Sequence, residues 1–179
     1  MGVPRPGYSG SLDIIRELNR AKVKYLVIGG VAVIYHGVPR ATFDLDLSVW
    51  LAPENLQRLE SVMKRIGFVP KAPVPVTGLA NPLTRREWTQ HKGMKVFAFE
   101  ELKPPFRLVD IMVASLRNFH QVYKRRVEVH DQGVTIPLMP IPELIRTKTG
   151  TGRPKDQEDI ENLRFVESVR RPTQRRESA

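Results

Sequence analysis

The sequence predicts an α/β fold in which helices flank a sheet. Apolar residues recur at helical spacing near the N-terminus, a short run of branched apolar residues then ends in two glycines, and a strictly alternating segment follows. In chain order the first five elements are helix, strand, helix, strand and helix, which is the pattern of an α/β domain.

The first half of the chain contains these five elements. Leu12, Ile15 and Leu18 lie three residues apart behind Ser11, which predicts an amphipathic helix with a serine N-cap. The residues after the glycines are assigned to a helix because a turn must follow the glycines, and Gly37 would end that helix. The predicted elements are a helix at 11–21, a strand at 23–30, a helix at 31–37, a strand at 43–50 and a helix at 52–68.

The second half begins with a proline-containing segment at 70–93 that has no sustained period, and we predict a long loop there. The elements after it are strands at 94–100 and 106–114, a helix at 115–127, a hairpin at 127–139 turning at "DQG", and helices at 140–148 and 154–169. We expect a single domain over residues 1–169 and a disordered polar tail at 170–179.

Composition limits the classes of function. The chain has no cysteine, which excludes disulfides and thiolate metal sites, and no apolar stretch approaches the roughly 18 residues of a membrane span. We therefore expect a cytoplasmic protein without a membrane partner. The net charge of +10 is spread along the chain and indicates either a polyanionic partner, such as nucleic acid or nucleotide phosphates, or a solvated basic surface.

Two acidic residues interrupt the predicted strand at "FDLDL". Strand alternation places Asp44, Asp46 and Ser48 on one face and Phe43, Leu45, Leu47 and Val49 on the other. Two neighbouring carboxylates repel and lose water on partial burial, and Mg²⁺ would remove both penalties. Asp110 also interrupts an apolar strand and is the candidate third ligand. The alternatives are a chance D-x-D pair and an ordinary strand-end aspartate.

Gly29 and Gly30 end one predicted strand just before the strand that carries the aspartates. Glycines at this place let backbone N–H groups approach a phosphate closely. The alternative interpretation is a plain tight turn.

These residues together resemble the signature of the polymerase-beta-like nucleotidyltransferase superfamily. In "YLVIGGVAVIYHGVPRATFDLDLSV", Arg40, Thr42, Asp44 and Asp46 match an R-x-T-x-D-x-D pattern, and Asp110 matches a later strand carboxylate. The stretch "LIRTKTGTGRPKDQEDIENL" is similar to a segment of small AbiEii-like nucleotidyltransferases of the abortive-infection toxin group. The residues that match in that segment are Lys148, Arg153, Lys155, Asp156 and Asp159.

The resemblance implies a mixed sheet flanked by helices, with C-terminal helices, and a Mg²⁺-dependent transfer of a nucleoside monophosphate from a nucleoside triphosphate such as ATP to an acceptor hydroxyl. It implies two Mg²⁺ ions, for which Mn²⁺ could substitute, held by Asp44, Asp46 and Asp110, with Lys148 as a fourth catalytic residue. The residues implied in nucleotide binding are Gly29, Gly30, Arg40, Thr42 and Arg153. The implied acceptors are RNA such as tRNA, or a protein, and the implied biological role is a toxin with an antitoxin partner.

Three points stay open at this level. Gly30 stands where many members of the superfamily have serine, so a second hypothesis is a catalytically weak relative that binds nucleotide or nucleic acid. Asp156 and Asp159 lie on one helical face, where they could orient a cation or interact with the helix N-terminus. The mixture of cations and an aromatic ring in the predicted loop could grip nucleic acid or be inert surface; it comprises Arg85, Arg86, Trp88, His91 and Lys92.

Overall fold

The computed structural model describes residues 9–114, 116 and 118–170, which form seven α-helices, seven strands and two short 3₁₀ helices. The α-helices are α1 (Leu12–Arg20), α2 (Gly29–Tyr35), α3 (Pro53–Arg65), α4 (Pro82–His91), α5 (Phe119–Lys124), α6 (Ile141–Lys148) and α7 (Pro154–Arg170). The strands are β1 (Tyr25–Val27), β2 (Leu45–Val49), β3 (Phe68–Pro70), β4 (Val96–Glu101), β5 (Leu108–Met112), β6 (Val127–Asp131) and β7 (Val134–Leu138). The 3₁₀ helices are Ser9–Ser11 and Val76–Ala80.

The strands form one mixed sheet in the order β3-β4-β5-β2-β1-β7-β6. The pairs β2–β5 and β1–β7 are parallel, whereas β1–β2, β3–β4, β4–β5 and β6–β7 are antiparallel. The predicted fold class, a mixed sheet flanked by helices, is confirmed. Among the described helices, none is both long and apolar enough to cross a membrane.

One face of the sheet is covered by helices. The hydroxyl of Tyr25 on β1 donates to Asn19 Oδ1 on α1 at 2.8 Å, and Trp88 on α4 stacks on Phe97 of β4 with ring centroids 6.1 Å apart. Leu45 and Leu47 of β2 point to the same side and are fully buried. This face therefore holds the core, as strand alternation requires.

The opposite face is open along β4 and β5. Val96 is 40% exposed, and Ala98, Glu100, Leu108 and Met112, which alternate with buried residues, are all partly exposed. Because Ala98 is the direct neighbour of Asp110 in the β4–β5 pair, Asp110 points to this open face. The acidic residues thus lie on the accessible side of the sheet.

The predicted loop at 70–93 is wrong. The segment instead holds the end of β3, the second 3₁₀ helix and α4, which begins with Pro82 at its first position. The Asn81 side chain caps α4 by accepting from the Leu83 N–H at 2.8 Å. Here proline starts a helix rather than breaking one, because the first turn of a helix needs no N–H donor there.

Other boundaries differ slightly from the prediction. The glycine pair opens α2 rather than closing β1, and the helix predicted from residue 115 is observed only from Phe119. Ser11 holds the N-cap position of α1, but its side chain makes no capping bond. The helix predicted to end at Val169 continues to Arg170, and the rest of the predicted disordered tail lies outside the described residues.

Candidate active site

The acidic residues come together at the sheet. Asp46 on β2 lies opposite Asp110 on the parallel neighbour β5, and Asp44 immediately precedes β2. Neighbouring strands are about 4.8 Å apart, so the two side chains start from adjacent positions on one face. The structure therefore places Asp110 beside Asp46, on the neighbouring strand.

Like charges and burial act on these carboxyls. Burial first, and then the charges of Asp110 and Asp44, raise the pKa of Asp46 to about 6, although Lys148 and the Gly30 backbone N–H act in the opposite direction. Burial and the charge of Asp44 also raise the pKa of Asp110, against a smaller effect of Lys71. Ionisation of these carboxyls is therefore unfavourable in the folded chain, and a bound cation would offset that cost.

The donor set fits a hard divalent cation. No group of three or more His, Cys, Asp or Glu side chains converges as a ready-made metal site anywhere in the described residues. Mg²⁺ usually takes one or two carboxylates from a protein and completes its octahedron with water and substrate phosphate. Asp46 and Asp110, opposite each other on parallel strands, supply such a pair of hard oxygen donors.

Gly29 lets the backbone pass directly beside the Asp46 carboxylate. Its φ is +61°, and a Cβ at this position would lie 1.9 Å from Asp46 Oδ2. The next N–H, that of Gly30, acts on the same carboxylate and lowers its pKa. The glycine turn is therefore fitted to an acidic side chain, and a residue with a side chain at position 29 would meet both strain and a clash.

Steric crowding also explains the glycine at position 30. A Cβ there would lie 2.6 Å from Thr42 Oγ1 and 2.7 Å from Thr42 Cβ, and the Arg40 Cζ is 3.2 Å away. The volume that a serine side chain would need is thus filled by Thr42 and Arg40. A serine at position 30 would therefore force Thr42 or Arg40 to move.

A buried ionic network joins this turn to the C-terminal helices. Arg40 Nη1 donates to Asp159 Oδ2, and Lys148 Nζ donates to the same Asp159 oxygen at 2.8 Å. Lys148 also contacts Asp156 Oδ1 at 3.2 Å, and Asp156 Oδ2 accepts from the Thr151 hydroxyl at 2.7 Å. Both aspartates thus contact a cation, the first of the two alternatives, and Asp156 also lies in the first turn of α7, as the second requires.

Two residues of the C-terminal motif lie at the surface. Arg153 is exposed, and its backbone N–H donates to Thr151 Oγ1 at 3.4 Å. Lys155 is also exposed, and its ammonium donates to the Ala41 carbonyl at 3.2 Å. The hydrogen bond of Arg153 does not involve the acidic cluster. Its nucleotide-binding role stays a prediction.

The second candidate surface, the predicted aromatic and basic loop, is not a stacking platform. Trp88 is only 4% exposed and packs in the core, so its ring is not accessible for the base stacking that was one of the two alternatives. Arg85 is half-buried and donates to the Ala80 carbonyl at 3.2 Å, while Arg86, His91 and Lys92 remain exposed. The ring is buried because residues 82–91, predicted as a loop, form α4, and this helix packs Trp88 against Phe97 of the sheet.

Two residues near the site differ in burial from what strand alternation predicts. Phe43 was expected in the core with Leu45, but it precedes β2 and is 84% exposed. Ser48, expected on the acidic face, is buried at 2% exposure. The alternation rule fails at Phe43 because the strand begins two residues later than predicted.

Comparison with known proteins identifies the family. A family model described as "Nucleotidyltransferase of unknown function (DUF6036)" matches residues 12–173. The chain belongs to this nucleotidyltransferase family. No curated protein sequence matches this nucleotidyltransferase.

Solved structures share its fold. The lincosamide antibiotic adenylyltransferase LnuA, solved with lincomycin bound, has a TM-score of 0.60 and 15% identity over 89% of this chain and 98% of that chain. The protein ANT(2")-Ia, solved with adenylyl-2"-tobramycin, has a TM-score of 0.55 and 13% identity over 90% of this chain and 97% of that chain. An antigenic nucleotidyltransferase-like protein from Paracoccidioides brasiliensis has a TM-score of 0.54 and 17% identity over 88% of this chain and 73% of that chain. At these identities the likeness concerns the fold.

Proposed function

We propose that this nucleotidyltransferase moves a nucleoside monophosphate from a nucleoside triphosphate to an acceptor hydroxyl, with Mg²⁺ at the acidic cluster. The observation that carries the proposal is the pairing of Asp46 with Asp110 on parallel strands, beside Asp44 and the glycine turn. The raised pKa values of Asp46 and Asp110 support it, since such a cluster gains from a bound cation.

In this proposal each acidic residue has a separate role. Asp44 and Asp46 would hold the cation that binds the triphosphate, and Asp110, on the open face, would help to hold a second cation and to deprotonate the incoming hydroxyl. Two Mg²⁺ ions, replaceable by Mn²⁺, would stabilise the attacking and leaving oxygens. The new bond forms between the hydroxyl oxygen and the α-phosphorus while the bond to pyrophosphate breaks.

The basic and neutral residues of the cluster act on the phosphates. Arg40 and Thr42, which pack over Gly30, would contact the triphosphate, and the Lys148 ammonium would offset charge that moves to pyrophosphate. Arg153 stays a proposed nucleotide contact from the resemblance alone.

We propose RNA, such as tRNA, as the acceptor. The net charge of +10 favours a polyanion, and the open face of β4 and β5 leaves room for a large acceptor beside Asp110. A protein hydroxyl and a small-molecule hydroxyl, of the kind that the antibiotic adenylyltransferases modify, are the other outcomes that a labelling experiment would reveal.

The similarity of the 148–159 segment to AbiEii-like enzymes further supports a toxin with an antitoxin partner. The expected result is growth arrest on expression in a bacterial host, lost in Asp46→Asn. Normal growth with active enzyme would remove the toxin role and leave the transferase proposal intact.

The test of the reaction is incubation with α-labelled triphosphates, Mg²⁺ and either total RNA, total protein or a panel of hydroxylated antibiotics. Label is expected in RNA with the wild type and not with Asp44→Asn or Asp46→Asn. Equal labelling by these variants would contradict the site.

A second candidate function, nucleotide binding with weak catalysis, is favoured by one observation. The Lys148 ammonium, an expected phosphate donor, already contacts the carboxylates of Asp156 and Asp159. Calorimetric titration with each triphosphate, beside the labelling assay, separates the two: binding without label transfer would favour this reading.

A further inference from the structure

We propose that Asp159 is a positioning residue that holds Arg40 against the glycine turn, and so sets the affinity for the triphosphate. The inference rests on the proposed function, since it assigns Arg40 to the phosphates. It concerns a residue on α7, more than a hundred positions after the glycines in sequence.

The geometry makes Asp159 the common partner of two cations. Its Oδ2 accepts from Arg40 Nη1, from the loop before β2, and from Lys148 Nζ, at the end of α6. The side chain of Asp159 is 5% exposed, that of Lys148 is 7% exposed and that of Arg40 is 14% exposed. Buried cations of this kind need a carboxylate, because water cannot replace it.

The position of Arg40 follows from this contact. Its guanidinium carbon lies 3.2 Å from where a Cβ of Gly30 would be, so the group packs directly over the turn that faces Asp46. Lys155 and Arg170, also on α7, donate to the carbonyls of Ala41 and His36 in the same loop, at 3.2 and 2.8 Å. The loop that presents Arg40 is thus held along the length of α7.

Arg40 is not fully satisfied by this arrangement. Its Nε is buried and, among the described residues, has no hydrogen-bond partner. A buried donor without a partner costs stability, so fold stability alone does not account for the placement. A guanidinium held partly unpaired beside the glycine turn is suited to binding phosphate oxygens.

The chain provides a matched control on the same helix. Asp156 also contacts Lys148, at 3.2 Å, but its second carboxylate oxygen accepts from the Thr151 hydroxyl, and its side chain is 15% exposed. Asp156→Asn therefore disturbs Lys148 without touching Arg40. Asp159→Asn disturbs both.

The experiment is a titration of the full chain with ATP, GTP, CTP and UTP in Mg²⁺, continued with whichever binds the wild type most tightly. Asp159→Asn is expected to raise Kd roughly tenfold to a hundredfold, the loss of one charge-assisted contact, and Asp156→Asn less than about threefold. Arg40→Gln is expected to match Asp159→Asn within about threefold, the margin allowed for disturbing Lys148, and the double variant is expected to bind no more than about threefold more weakly than Arg40→Gln alone.

Additive losses in the double variant, or wild-type affinity in Asp159→Asn, would overturn the positioning role while leaving the proposed function standing. Absence of binding by the wild type would overturn both. If Asp159→Asn does not fold at the assay temperature, Arg40→Gln decides the matter, because a Kd raised about tenfold or more supports the role and a wild-type Kd contradicts it.

Discussion

The environment of Asp46 disfavours the charged form of its carboxyl. Its pKa is raised from 3.8 to about 6, chiefly by burial and then by Asp110 and Asp44. Between pH 3.8 and about pH 6, the metal-free folded chain therefore binds more protons than the unfolded chain. Its free energy of unfolding falls as the pH rises through this range.

We predict that Asp46→Asn stabilises the metal-free protein by about 2 to 3 kcal/mol above pH 6, because a shift of about two units corresponds to that free energy. The gain should disappear towards pH 4, where the carboxyl is protonated in the folded chain. Urea unfolding in EDTA at several pH values measures it. A gain that is equal at both ends of the range would contradict this account of Asp46.

Gly30 and Thr42 form a steric pair. A serine at position 30 would place its Cβ 2.6 Å from Thr42 Oγ1, which forces one side chain to move. We expect Gly30→Ser to lower the free energy of unfolding by about 1 to 3 kcal/mol, as overpacking usually does. Adding Thr42→Gly should recover part of the loss, and unchanged stability of Gly30→Ser would contradict the pairing.

At the scale of elements, Arg107 ties α1 to the β4–β5 pair. It donates to Asp13 at 2.6 Å, to Glu101 at 2.8 Å and to the Gly10 carbonyl at 2.8 Å, and its side chain is 20% exposed. Hydrogen bonding to Arg107 is also the main cause of a lowered pKa of Glu101.

Arg107→Ala should therefore destabilise the chain by about 2 kcal/mol, the value typical of hydrogen bonds to charged groups. Thermal or urea unfolding at neutral pH provides the measurement. Arg20→Ala is the matched control, since Arg20 is 68% exposed and binds one carboxylate, Glu17. If the two substitutions lowered the free energy of unfolding equally, the contacts of Arg107 would not be the cause of its effect.

The elements also explain which features the sequence could predict. The alternation in β2, the hairpin turn at Gln132 and Gly133 and the helix opened by Pro154 depend on neighbours in sequence, and all three are observed. The segment at 70–93 was misassigned because its prolines start elements and Trp88 finds its partner, Phe97, only in the folded sheet.

Some features of the site could likewise be predicted from local sequence, and others could not. Asp44 and Asp46 could be paired from their spacing, and Asp110 from its place in an apolar strand. The contact of Asp159 with Arg40 joins residues 119 positions apart, so no local pattern could predict it. The exposure of Phe43 likewise depends on where β2 begins, and strand boundaries are the least certain part of a pattern.

At the scale of the whole molecule, the net charge of +10 makes a prediction about the acceptor. If RNA is the acceptor, its binding should weaken steeply with salt, by about tenfold or more between 50 and 200 mM, because bound counterions are released. Filter binding or fluorescence anisotropy with total tRNA checks this. Affinity independent of salt would exclude a phosphate-dominated acceptor and favour a small molecule.

We propose that Asp46 and Asp110, opposite each other on β2 and β5, are required for nucleotidyl transfer. The most direct test of this proposal is transfer of α-labelled nucleotide in Mg²⁺ by the wild type, Asp46→Asn and Asp110→Asn, each verified as folded. We predict that the wild type transfers label and that each variant loses a hundredfold to ten-thousandfold in rate, roughly the contribution of a positioned acid or base. Transfer by Asp110→Asn at the wild-type rate would contradict the account.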